Sequence, residues 1–164
     1  MSVIPFDDPR LTAMGLFTEA YAGVVARMHP AFSEAGLSEI DFETLIRLAR
    51  SPEQRLRMSD LAAQTGLSTS GVTRVVDRLE RDGMVARVAC ASDRRASYAA
   101  LTPEGTRKLE AVLPRHLTDI DDCFTNLLED DERDAFMATL RKIRDVVRPG
   151  ATAGAAVMEG SSPA

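Results

Sequence analysis

Apolar residues recur every three to four positions from Met14 through Phe17, Tyr21, Val24, Val25 and Met28 to Phe32, which predicts one long amphipathic helix. Asp8 can cap it and Pro9 can open it, Pro30 should kink it or end its regular part, and Gly36 should stop it. In a second helix Ser38 and Asp41 stand at capping-box spacing, Phe42, Leu45, Ile46 and Ala49 form the inward stripe, and Ser51-Pro52 ends the run. A short third helix is predicted over 59–65 by its cap and the Leu61-Ala62 pair. Later in the chain Thr102 can cap and Pro103 open another long helix. Leu109, Val112, Leu113, Leu117, Ile120, Phe124, Leu127 and Leu128 make its apolar side, and Pro114 should bend it. Phe136, Leu140, Ile143 and Val147 mark a last helix over 131–147.

The segment between Gly66 and Gly83 divides its faces more sharply. Gly66 suits a tight turn, Ser68 can cap, and Val72, Val75, Val76 and Leu79 repeat as i, i+3, i+4, i+7, which points all four inward. The opposite face carries Thr69, Ser70, Thr73, Arg74, Asp77, Arg78 and Arg81. Short hydroxyl side chains in the first turn followed by arginines suit a helix whose N-terminal end enters a DNA major groove. Small donors approach base edges there, guanidinium forks reach guanine or phosphate, and the free N–H groups of the first turn meet phosphate oxygens. Residues 84–90 are then β-compatible, 91–96 are polar and turn-like, and 97–101 read as a return strand, so a hairpin with Arg94 and Arg95 at its tip is predicted. An arginine at such a tip can enter a narrow minor groove beside the helix.

Charge sharpens this picture. The net charge of −5 taken alone argues against a nucleic-acid partner, yet residues 51–107 hold nine arginines against seven acidic residues while the rest holds eleven basic against eighteen acidic. The acidic cluster at Asp119, Asp121, Asp122 and 129–132 reads as a solvated face. With 164 residues, 45% of them hydrophobic, the chain suits one compact unit with a core of its own. It has no apolar run of membrane-spanning length and no secretory start, so a cytoplasmic protein without a membrane partner is expected. Residues 149–164 have too little bulky apolar content to offset ordering entropy and are expected to form a disordered tail.

Residues 9–148 resemble the MarR family of winged helix-turn-helix transcriptional regulators. The resemblance rests on Ala62, Gly66 and Val72 at helix-turn-helix spacing, on the run from Leu67-Ser68 through Arg74 and Arg78 to Gly83-Met84-Val85, and on Asp93-Arg94-Arg95 followed by Leu101-Thr102 and Gly105. It implies a mainly α fold with a small β-hairpin wing, an Asp-x-Arg wing signature on Asp93 and Arg95, and a homodimer on a pseudo-palindromic duplex, most simply as a repressor. Segments 9–36 and 103–148 would form the dimerisation region and 38–102 the DNA-binding domain. Three long helices with broad apolar stripes agree, since a reading module of some fifty residues cannot cover them all. The DNA-binding residues are then expected to be Ser68, Thr69, Ser70, Thr73, Arg74, Arg78, Arg94 and Arg95. Asp93, acidic at a DNA-facing tip, would orient an arginine. The resemblance also permits a small aromatic or phenolic effector in a cleft lined by Phe17, Tyr21, Leu45, Leu48, Leu113 and His116, residues that could equally fill the core.

Rival readings find less support. No phosphate-binding glycine loop, nucleophile elbow, CxxC or His-Glu-x-x-His motif occurs, so neither an enzyme nor a cofactor is expected. His29 and His116 stand apart from other ligand types, which argues against a metal. A winged-helix module that binds only protein would not need Thr69, Ser70, Thr73, Arg74 and Arg95 on one side. A thiol-based redox regulator would have to use Cys90 or Cys123, which read as unreactive thiols.

Overall fold

In the computed structural model, which describes residues 6–89 and 97–154, helix α1 spans Pro9–Glu34. The Asp8 carboxylate fixes its start by accepting the Arg10 backbone N–H at 2.8 Å. The helix continues through Pro30 and stops at Gly36, whose φ of +70° only glycine adopts readily. Helix α2 (Glu39–Ala49) begins with the full capping box of Ser38 and Asp41. Strand β1 (Arg55–Arg57), α3 (Met58–Thr65) and α4 (Thr69–Arg81) follow, then β2 (Val85–Ala89) and β3 (Ser97–Leu101). The long α5 (Pro103–Cys123) and α6 (Asp130–Val147) complete the helices, and a 3-10 turn at Pro149–Thr152 ends the described chain.

The sheet has three antiparallel strands in the order β1-β3-β2, where the sequence predicts a two-stranded hairpin. β1 escapes prediction because it is only three residues long, with a single apolar side chain between two arginines. It follows a turn in which Glu53 and Gln54 both take positive φ. Its Leu56 lies opposite Ala99, and both are buried beneath the helices. One core joins Phe32 of α1, Leu45 and Leu48 of α2, Leu61 of α3, Val72, Val76 and Leu79 of α4, Val85 of β2 and Leu109 and Val112 of α5.

A tight junction sets where the sheet leaves α4. The Thr102 hydroxyl donates to the Gly83 carbonyl at 2.7 Å and accepts the Gly105 N–H at 3.1 Å, while the Thr102 N–H reaches the Met84 carbonyl. A Cβ at Gly105 would stand 2.3 Å from that Met84 carbonyl, so the end of α4, the sheet and the start of α5 meet at a point only glycine allows.

Two expectations are corrected. The buried face of α5 runs through Leu109, Val112, His116 and Asp119, whereas Leu117 and, beyond the helix, Leu127 are exposed. The tail expected to be disordered from 149 instead packs against α3 over residues 149–154. Its polar backbone finds partners there that composition could not reveal. Helix α6 buries none of its residues in the protomer, although its apolar stripe is real.

Candidate nucleic-acid interface

Helix α4 is held by its apolar side and presents its polar side to solvent, as the division of its residues requires. Val72, Val75, Val76 and Leu79 are buried; Thr69, Ser70, Arg74 and Arg81 are exposed. The Ser68 hydroxyl accepts the Gly71 N–H at 3.1 Å and lies 3.1 Å from the Ser70 hydroxyl, so Ser68 acts first as the cap of the helix. The half-buried Thr73 donates to the Thr69 carbonyl at 2.8 Å, which keeps its oxygen able to accept. Arg74 has no ion-pair partner among the described residues. The N-terminal half of α4 therefore offers the exposed hydroxyls of Thr69 and Ser70, a helix N-terminus and a guanidinium without an ion-pair partner among the described residues.

Arg78 is placed differently from Arg74, although both read as DNA contacts from the sequence. Its guanidinium turns back to Asp41 on α2, with Nε donating to Oδ1 at 3.2 Å and a terminal nitrogen forming the ion pair. The other carboxylate oxygen of Asp41 accepts the Ser38 N–H at 3.1 Å and the Ser38 hydroxyl at 2.5 Å. One buried carboxylate thus caps α2 and, through Arg78, anchors α4 to it. The outer acids of α4 are also engaged. Asp77 pairs with Arg87 of β2, and the Glu80 carboxylate accepts the Arg87 backbone N–H at 3.0 Å, which ties the stem of the sheet to the helix.

A basic and aromatic group on the sheet went unread in the sequence because β1 went unread. Arg55 and Arg57 lie over the Tyr98 ring at 5.2 and 5.8 Å, and Arg57 Nε donates to the Tyr98 hydroxyl at 3.1 Å. They sit at the root of the loop joining β2 to β3. Asp93, Arg94 and Arg95, assigned to the wing tip, lie outside the described residues, as does Cys90.

A cleft of about 480 Å³ opens between α1, α5 and α6, lined by Phe17, Tyr21, Met28, His116, Phe124 and Phe136 among others. Of the residues proposed for an effector, Phe17, Tyr21 and His116 line it. Leu45 and Leu48 are completely buried in the core, and Leu113 packs partly against that core. Helical periodicity marks both kinds of position as inward, and only the crossing of the helices separates them. His116 packs between Phe32 and Phe42, at ring distances of 5.0 and 4.6 Å, and its Nδ1 has no hydrogen-bond partner. Burial pushes its pKa down, and the nearby Asp119 carboxylate opposes the shift. Cys123, at the end of α5, is a free thiol. Among the described residues no cluster of ligand types could hold a metal, and no helix is long and apolar enough to cross a membrane.

Known proteins share this arrangement. Residues 35–96 match the family model described as MarR family. The chain is 34% identical over 113 residues to the HTH-type transcriptional repressor YetL of Bacillus subtilis (strain 168), an alignment that covers 69% of this chain and 67% of that protein. Among solved structures, AbsC, a MarR family transcriptional regulator from Streptomyces coelicolor, superposes with a TM-score of 0.82 at 28% identity, covering 90% of this chain and 99% of that one. Sco3205, another MarR family regulator from Streptomyces coelicolor, solved in complex with DNA, gives a TM-score of 0.80 at 26% identity over 90% and 93% of the two chains.

Proposed function

The chain belongs to the MarR family of DNA-binding transcriptional regulators, and from that premise we propose that it is a homodimeric repressor which reads a pseudo-palindromic operator. The division of labour places residues 9–36 and 103–148 in the dimer and 38–102 in the reading head. The observation that carries the dimer is the apolar surface left open on the protomer. Leu11, Met14, Phe17 and Tyr21 of α1 and Phe136, Ile143 and Val147 of α6 are all substantially exposed. A continuous apolar surface on two long helices calls for a partner, and a second copy covers it by two-fold symmetry.

Two copies then present two α4 helices. Half-sites about one helical turn, ~10 bp, apart place successive major grooves under Thr69, Ser70, Thr73 and Arg74 of each copy. Repression is supported by the similarity to YetL, a transcriptional repressor, and by the general consequence of occupying an operator. Sedimentation and gel shift on pseudo-palindromic duplexes test the proposal. A dimer whose operator affinity falls as salt rises is the expected result. A monomer bound to one asymmetric half-site, or an affinity indifferent to salt, would overturn it.

The cleft supports a small aromatic effector. Its walls are almost wholly apolar, with the rings of Tyr21 and His116 among them, which suits a ligand held mostly by burial. No arginine or lysine lines it, so a carboxylate on such a ligand would have to stay at the mouth. A ligand releases DNA only if it favours a spacing of the reading heads that misfits the operator, and operator must then weaken ligand binding by the same factor. Calorimetry of a panel of phenols and aromatic acids, with and without operator, is expected to show affinities that differ about 5-fold or more. Identical affinities in both titrations, or no binding at all, would leave the cleft without this role.

A further inference from the structure

The segment that follows α6 does more than end the chain. Residues 148–154 run along α3, the first helix of the helix-turn-helix, and contact it through Arg148, Gly150, Ala153 and Gly154. Arg148 donates to the Gln64 carbonyl at 2.9 Å and lies against Gly66, where a Cβ would stand 2.9 Å from its guanidinium. It thereby supplies a cation to the C-terminal end of α3. Gly150 packs on Ala63, with room for little more than its hydrogen, since a Cβ there would come 3.2 Å from the Ala63 methyl. Arg47 of α2 donates both to the Ala151 carbonyl and to the Gln64 side-chain oxygen at 3.3 Å. The Gln64 amide nitrogen donates to the Ala153 carbonyl at 2.6 Å. Gly154, at a φ of +70°, closes against Asp60 near the start of α3.

Gln64 is the centre of this contact. Its side chain is 4% exposed, and the two bonds it makes go to the strap and to Arg47, so the N–H of a buried amide on the reading head depends on a strap carbonyl for its acceptor. The strap continues directly from α6, whose Phe136 and Leu140 line the cleft and whose outer face is open. On the other side α3 passes through Gly66 into α4. The bonds of Arg148, Ala151 and Ala153 thus connect the end of α6 to α2 and α3 over a short segment.

We propose that residues 148–154 form a strap that fixes the reading head against α6, with Gln64 and Arg47 as positioning residues, and so sets the half-site spacing the protein accepts. The proposal rests on the dimeric operator-binding reading, because spacing has meaning only for two linked heads. A protomer with a loose head can still place α4 in one groove, but its dimer tolerates half-sites at other separations.

The test measures operator binding across duplexes whose half-site separation is stepped by single base pairs, together with dimerisation by sedimentation. The full chain is expected to prefer one spacing by about tenfold over its two-base-pair neighbours. Gln64→Ala should reduce that preference to less than about threefold while dimerisation and the affinity for one isolated half-site stay unchanged. A locked variant keeps the outcome independent of folding defects. Ala63→Cys with Gly150→Cys, in a chain also carrying Cys90→Ser, Cys123→Ser and Gln64→Ala, places two Cβ atoms 3.2 Å apart, so a shift of a few tenths of an ångström brings them into disulfide range. Oxidation should close the bond within one chain and restore the sharp spacing preference, and reduction should abolish it again. A disulfide that joins two chains, or one that fails to form, would overturn the strap. A full chain with a sharp preference that Gln64→Ala retains would overturn the proposal alone, whereas a full chain indifferent to spacing would overturn the dimeric reading and the proposal with it.

Discussion

Asp41→Ala is expected to lower the unfolding free energy by about 2 to 4 kcal/mol, measured by chemical denaturation. Two losses combine. The capping box of α2 disappears, which by itself costs about 0.5 to 2 kcal/mol. The Arg78 guanidinium also loses the partner that holds α4 to α2. Breaking a fully buried pair costs about 3 to 5 kcal/mol, but the Arg78 side chain is 40% exposed and regains water, so only part of that amount applies. Arg78→Ala should cost less than Asp41→Ala, because Asp41 keeps its two bonds to Ser38. A double-mutant cycle between the two positions should show a coupling of about 1 kcal/mol or more. A phosphate-binding Arg78 predicts something else: unchanged stability for Arg78→Ala, no coupling to Asp41, and a salt slope of DNA binding reduced by about one. The cycle therefore decides whether this arginine supports the reading helix or reads.

The pairing of Arg78 with Asp41 separates what a sequence displays from what it withholds. Asp8, Ser38, Ser68 and Thr102 are visible as caps because each acts on an N–H two or three residues away, and all four cap in the structure. The buried residues of α4 are visible because periodicity alone decides them. Arg74 and Arg78 occupy equivalent places in the pattern, and only the crossing of α2 over α4 gives Arg78 a carboxylate to meet. The same holds for the apolar residues: Leu45 and Tyr21 have the same periodic signature, yet one is sealed in the core and the other opens onto a cleft. Residues 149–154 read as tail because glycine and alanine cannot build a core, but their carbonyls find Arg47 and Gln64 from distant elements. Long-range polar partnership is what local composition cannot express.

Arg74→Ala is expected to weaken binding to the operator by about 10- to 100-fold, or about 1 to 3 kcal/mol, while affinity for random DNA falls much less. Arg74 lies on the exposed face of α4 with no ion-pair partner among the described residues, and it follows the exposed hydroxyls of Thr69 and Ser70 by one turn. From that position a guanidinium can place two donors on the O6 and N7 of one guanine, and its loss leaves that base pair unread. Replacing each base pair of the operator in turn should then show that the variant has lost discrimination at a single position in each half-site. Arg95→Ala provides the contrast. A wing arginine that enters a minor groove or meets phosphate contributes mainly through charge, so its removal should reduce operator and random binding by similar factors and flatten the salt dependence. Equal losses on both kinds of DNA for Arg74→Ala would mean that Arg74 touches only phosphate. Sequence preference would then have to come from Thr69, Ser70 and Thr73, or from the shape of the duplex between the half-sites.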